Sequence, residues 1–243
     1  MSEALPPHAD IWNHKPVLRT IYNDFHDRIL AACIPGLIIE IGAGGGYLKR
    51  RRGEVITTDI QPRPQLDCVA DAQCLPFAAG AAENIVMVDV LHHIQFPLLF
   101  FREAERVLAP GGRVIMIEPA ITWGSTLLYR FLHREPVSSS ADPLVDGKPD
   151  AGRNAYLGNQ AIPTLLATRD RRRFERLFPN LTINRVEWFS LAVYPLSGGT
   201  RPWSLISDCM AGRALRLERV IEPAIGRWLG FRMMLVMEKA SGA

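Results

Sequence analysis

Four glycines, several strand-end acids and a pair of histidines are the residues of this chain best suited to do chemistry. An apolar run, Leu37-Ile38-Ile39, ends in Glu40 and passes into Gly42, Gly44, Gly45 and Gly46 before a helix-like segment opens at Tyr47. Glycines after a strand let the backbone turn sharply and let a ligand lie against bare main chain, because no Cβ intervenes. A second strand-like run, Glu54 to Thr58, ends in Asp59 about twenty residues on, where an acid grips a ribose. The amides of Gly42, Ala43 and Gly44, with Asp59 and the following Ile60, form a nucleoside-binding signature.

Two details choose between nucleosides. A nicotinamide-binding loop places glycine at its first, third and sixth positions, the last for close helix–strand packing. Counting from Gly42, the third position is Gly44 but the sixth is Tyr47, whose ring argues against a dinucleotide. Glu40, directly before the loop, is a poor neighbour for a pyrophosphate. It suits a ligand that carries an ammonium and a sulfonium.

Further blocks follow in order. Cys68 to Phe77 reads as a third strand with Asp71 near its end, then an apolar turn. Asn84 to Ile94 is an apolar fourth strand closing on His92 and His93, and Arg113 to Ile117 is a fifth strand ending at Glu118-Pro119. The set EIGAGGG, TTD, DAQCLPF, DVLHHI and RVLAPGGRVIMIEP resembles the class I S-adenosylmethionine-dependent methyltransferases, small-molecule (type 11) branch, over roughly Leu37 to Pro119. One such block is weak; five in order are specific.

The resemblance implies a role for each acid. Glu40 would act near the methionine ammonium, and Asp59 would accept both ribose hydroxyls in charge-assisted bonds. Asp71 would take the adenine amine, with the Ala72 amide on a ring nitrogen and Leu75 and Phe77 as an apolar wall. Asp89, read as lying in the fourth strand, would face the pocket edge, although a turn amide could satisfy it equally. His92 and His93 would stand beside the methyl group. Methyl transfer from a sulfonium needs alignment and exclusion of water above all. A hydroxyl acceptor also needs a base, and an imidazole serves. Histidines here also serve as pocket lining. Glu118 is the second candidate base, or else a helix-capping acid. No residue pattern suggests a metal.

These groups need a scaffold. Strands alternating with helices from Leu37 to Ile117 predict a doubly wound α/β fold. The resemblance implies seven mostly parallel strands, the seventh inserted antiparallel, with an insertion after the fifth. Val17, Ile21, Phe25 and Ile29 recur at helical spacing in an N-terminal extension, residues 1–34. Residues 120–165 read as a helix from Trp123 to His133 and then an irregular lid, Glu135 to Pro163. Tyr156, Asn159 and Gln160 in that lid are expected to face the acceptor, or to satisfy the loop's own backbone. Thr168 to Phe178 reads as a charged helix, Leu181 to Leu191 as a sixth strand and Phe231 to Lys239 as the last. Between these two, Leu205 to Leu229 is mostly helical. There Leu217, Ile221, Ala224 and Trp228 share one face, Arg216, Arg219 and Arg227 lie off it, and Pro223 is a kink point. That stripe is expected to pack on the sheet edge, as in any soluble helix. The alternative is a basic amphipathic helix lying on an anionic membrane surface.

Composition bounds the rest. The chain has 243 residues, 48% of them hydrophobic, and a net charge of +3, which suits one globular α/β domain and gives no reason to invoke nucleic acid. The basic runs Lys49 to Arg52 and Arg169 to Arg173 lack interleaved aromatics and read as solvated helix faces. No signal-peptide layout opens the sequence, and the four cysteines show no metal or disulfide spacing. The expectation is a cytoplasmic, S-adenosylmethionine-dependent enzyme, with possible contact at the inner membrane face. Its acceptor would be a small molecule or lipid-linked, methylated at oxygen. The alternatives are an NAD(P)-dependent oxidoreductase, disfavoured by Tyr47 and the lack of a Tyr/Lys proton relay, and a cofactor-holding protein without activity.

Overall fold

The computed structural model describes residues 8–132, 136–150 and 152–242. The first seven residues of the N-terminal extension, and residues 133–135 and 151 of the segment after the fifth strand, lie outside them, as does residue 243. Seven strands form one sheet: β1 (Ile38–Ile41), β2 (Val55–Asp59), β3 (Cys68–Val69), β4 (Ala82–Val88), β5 (Leu108–Pro119), β6 (Leu181–Phe189) and β7 (Arg232–Lys239). Their order is β3-β2-β1-β4-β5-β7-β6. β1 to β5 pair in parallel, whereas β7 runs antiparallel to both β5 and β6.

The helices are α1 (His8–His14), α2 (Pro16–Ala32), α3 (Tyr47–Arg51), α4 (Pro97–Val107), α5 (Trp123–Leu132), α6 (Ile162–Ala167), α7 (Arg171–Leu177), α8 (Val193–Ser197) and α9 (Asp208–Leu229). One face of the sheet packs against α4, α6 and α7 through Phe100, Phe101, Leu166 and Phe174. The other packs against α2, α3, α8 and α9 through Ile21, Phe25, Leu48, Val193 and Leu215. Covered on both sides, all four residues of β1 are buried. That is why a parallel strand reads as an unbroken apolar run rather than an alternation.

The strand order fixes where a ligand can sit. From β1 the chain moves outward to β2 and β3, then returns to β4 on the other side of β1. The carboxyl ends of β1 and β4 therefore flank a topological switch point, the crevice where open α/β sheets bind ligands.

Three expectations need correction. The third strand shrinks to two residues, with Asp71 beyond it in a turn closed by a bridge to Cys74. Asp89 lies one residue past β4, with φ 57°. The apolar stripe of α9 does not pack on the sheet edge. The residues that α9 buries are Ala211, Leu215, Glu218, Glu222 and Gly226, while Leu217, Ile221 and Trp228 are exposed. The inward acids are satisfied by the chain end of β6. Glu218 accepts the amides of Leu191, Ala192 and Val193, and Glu222 accepts that of Ser190 and an Arg28 guanidinium.

Candidate active site

The glycine loop opens one wall of the switch-point crevice. Gly42, Gly44 and Gly46 all adopt positive φ, between 52° and 68°, a region costly for side-chain-bearing residues. A Cβ on Gly42 would also collide with the Val90 side chain, so β1 and the end of β4 approach here as only glycine allows. The Tyr47 ring folds back over Gly45 and stacks on Trp12 of α1, centroids 3.6 Å apart and 12° from parallel. The bulky sixth position thus anchors the N-terminal helix beside the loop.

Glu40 sits in β1 between Thr57 of β2 and Val86 of β4. It is only 7% exposed, and its Oε2 has no hydrogen-bond partner among the described residues. Burial first, and the nearby Asp59 carboxylate second, push its pKa up to about 8. The Asp59 carboxylate accepts the Gly44 amide at 3.0 Å and the Gln61 amide at 2.9 Å, while Ile60 between them is exposed. Gln65 Nε2 donates to the Gly44 carbonyl at 2.6 Å. Asp71 accepts the Gln73 amide at 2.8 Å, Ala72 is buried, and Leu75 belongs to the core with Phe77 packed against it.

The second wall is the turn after β4. Leu91–His93 forms a single 3₁₀ turn, and Glu118 of β5 builds it. Glu118 is fully buried; its Oε1 accepts the amides of Val90 and Leu91 at 2.9 and 2.7 Å, and its Oε2 lies 2.6 Å from His92 Nδ1. A carboxylate partner at Nδ1 favours a hydrogen on that nitrogen. The His93 ring lies 4.0 Å from the His92 ring. Glu118 thus fixes both the turn and the His92 ring.

Beside this dyad lies a group that the sequence reading missed. Arg232, at the head of β7 and 3% exposed, pairs with Asp89, donates to the Tyr194 hydroxyl at 2.5 Å and stacks over that ring at 4.3 Å. Tyr22 of α2 lies near the same Asp89; burial, then that carboxylate, raise its phenol well above the ordinary value. Asp89 thus faces arginine and phenol. Its one legible trace was a cation at the start of an otherwise apolar run. Asp89, His92 and Glu118 bring ligand-type atoms within 4.8 Å of one another. Arg232 already compensates one acid, and two amides with His92 engage the other.

The late part of the insertion closes over both walls. The Asn159 amide donates to the His92 carbonyl at 2.9 Å, and Arg153 Nη1 to the His93 carbonyl at 2.8 Å. Across the crevice, Arg63 Nη2 reaches the Tyr156 hydroxyl at 3.5 Å. The Asn159 side chain bonds the backbone of Ser138 and Ala161, so it serves the loop itself. Gln160 is buried and Tyr156 is exposed.

The methyltransferase-domain family matches residues 39–116. A malonyl-[acyl-carrier protein] O-methyltransferase from Hahella chejuensis is 27% identical over 137 residues, covering 44% of this chain and 49% of that one. The match thus spans about half the length of the curated relative. A crystal structure of an S-adenosylmethionine-dependent methyltransferase from Thermotoga maritima aligns with TM-score 0.57 at 15% identity, over 92% of this chain and 91% of that one. One from Archaeoglobus fulgidus aligns with TM-score 0.52 at 14% identity, over 91% and 94%. Residues 39–116 thus carry a methyltransferase domain, and the chain shares its fold with S-adenosylmethionine-dependent methyltransferases over most of its length.

S-adenosylmethionine is accordingly the cofactor, and the residues of this methyltransferase fit it. A buried carboxyl with a free oxygen is costly unless a ligand satisfies it. Glu40 stands at the switch point beside the glycine loop, where an ammonium group would supply the missing partner.

Proposed function

We propose that this methyltransferase transfers a methyl group to a hydroxyl oxygen of a small-molecule or carrier-linked acceptor, with His92 as base and Glu118 as the residue that positions it. The observation that carries the reading is the buried 2.6 Å contact between His92 Nδ1 and Glu118 Oε2 at the mouth of the switch-point crevice. When bound, S-adenosylmethionine supplies an electrophilic methyl on a sulfonium that departs as a neutral thioether. In this reading Glu40 holds the ammonium, the amides of Gly42, Ala43 and Gly44 line the amino-acid half, Asp59 takes the ribose, and Asp71 with Ala72 meets the adenine. Asp89, paired with Arg232 and near Tyr22, closes the pocket edge without touching the proton path.

The chemistry of the residues follows. His92 Nε2 takes the acceptor's hydroxyl proton as the oxygen lone pair forms the new bond to carbon. Glu118 stabilises the resulting imidazolium without itself becoming protonated. The lid excludes water, which would compete for the methyl group. His93, against Gly158 of the lid, lines the acceptor side.

A second reading, a carboxylate acceptor, is favoured by the Hahella relative, whose name specifies O-methylation of a malonyl carrier protein. A carboxylate has no proton to lose, so the two readings differ in their need for a base. Labelled S-adenosylmethionine incubated with small-molecule, lipid and acyl-carrier fractions would identify the acceptor. Replacing His92 by alanine should then abolish transfer to a hydroxyl; unimpaired transfer by that variant would select the carboxylate reading.

A further inference from the structure

The outward side of α9 is a feature that the methyl-transfer site leaves unused. Val220 is 77%, Leu217 63%, Met210 59% and Trp228 56% exposed, and Ile221 completes the row. Helical spacing puts them on the side opposite Ala211, Leu215, Glu218, Glu222 and Gly226, which are buried. This inverts the ordinary amphipathic helix, whose apolar stripe faces the core.

Two further elements extend the row. Gly124 of α5 meets the last turn of α9 so closely that a Cβ would lie 3.0 Å from the Leu229 Cα. Trp123, 88% exposed, and Leu127 follow one helical turn apart on α5. Before α9, exposed Trp203 and Leu205 sit on a loop that Lys15 fastens by donating to the carbonyls of Gly199, Arg201 and Trp203 at 2.6 to 3.0 Å. The exposure is therefore built into a tied structure.

Charge decides the occupant. Both glutamates of α9 point inward and are satisfied there, which leaves Asp208 as the exposed acid of the helix. Arg213, Arg216 and Arg227 are exposed beside the apolar row. A two-fold contact with a second copy would bring these arginines toward one another, at a cost in like-charge repulsion. Large apolar side chains, flanking tryptophans and unopposed arginines together match a helix lying in the headgroup layer of an anionic bilayer.

We infer that the outward face of α9, with the first turn of α5, docks this protein on an anionic membrane surface. The docking is separate from the methyl-transfer chemistry, since none of these side chains belongs to the site. It is tested by flotation of the full chain with vesicles of phosphatidylcholine alone and of phosphatidylcholine mixed equally with phosphatidylglycerol. The protein should float with the anionic vesicles at low salt, and less so as salt rises. Arg213→Glu with Arg216→Glu should weaken partition by about fivefold or more per site. Leu217→Ser with Trp228→Ser should weaken it by about tenfold or more. Both double variants should bind S-adenosylhomocysteine as the parent does, which shows that they fold and keeps this test apart from that of the site. Failure of the parent to float at low salt would overturn the inference. So would equal flotation with neutral vesicles, or a parent dimer that Leu217→Ser with Trp228→Ser turns into a monomer.

Discussion

The two walls of the crevice treat buried charge in opposite ways. On the β1 wall, Glu40 is buried with one oxygen unpaired and its pKa pushed up to about 8. On the β4–β5 wall, Glu118 is still more deeply buried, yet two amides and His92 meet it, and Arg232 and Tyr22 meet Asp89. In the proposed function the cofactor's ammonium completes the first wall, whereas the second is assembled beforehand. The difference separates binding from chemistry. A site that waits for its ligand gains affinity from satisfying an orphan, while a site that acts on a proton must hold its base in position before the acceptor arrives.

Breaking the preassembled wall should have the largest effect. His92→Ala should lower turnover of a hydroxyl acceptor by roughly 10²–10⁴-fold, with S-adenosylhomocysteine affinity unchanged by calorimetry. Glu118→Gln should cost less in rate and shift the pH profile of turnover, because a neutral amide cannot stabilise an imidazolium as a carboxylate does.

Breaking the incomplete wall should act on affinity. Glu40→Gln should weaken cofactor binding by roughly 10- to 100-fold, about 1.5–3 kcal/mol for a lost charge-assisted bond. In the parent, the ammonium favours the ionised carboxyl and so lowers the Glu40 pKa in the complex. Affinity should therefore rise with pH up to about 8 and level off above it. The stability of the free protein runs the other way. Folded Glu40 binds its proton more tightly than unfolded Glu40, so its contribution falls as pH rises from the ordinary value of 4.5 through about 8. Thermal melts of the parent and Glu40→Gln across that window check the sign.

Between the walls, Gly42→Ala should lower stability by roughly 1–3 kcal/mol, since it adds strain at positive φ to a clash with Val90. A denaturant midpoint reads this directly. The smallest effect is expected at Trp12→Ala, where loss of the stacked pair with Tyr47 should cost about 0.5–1.5 kcal/mol.

The incomplete wall was legible in the sequence because its parts are local. A strand, a glycine loop and a following acid lie within a short stretch, and the left-handed positions demand glycine. The strands of the parallel core were legible too, since burial on both faces leaves no alternation to misread. The network around Asp89 was not. Tyr22, Tyr194 and Arg232 come from three distant elements, and only the sheet order brings them together. The outward stripe of α9 was misassigned for a related reason. Its inward face is held by Glu218 and Glu222, and nothing in the local pattern says that amides and Arg28 await them. The short helix α8 left no periodicity to read.

The central claim is that Glu40 waits, protonated, for the cofactor's ammonium. Calorimetric titration of S-adenosylhomocysteine at pH 7, in buffers of differing ionisation enthalpy, measures protons released on binding. With the free carboxyl at about 8, nearly one proton should leave per ligand bound, and the release should vanish in Glu40→Gln. Tight binding with no proton release from the parent, or the same release from Glu40→Gln, would contradict the account.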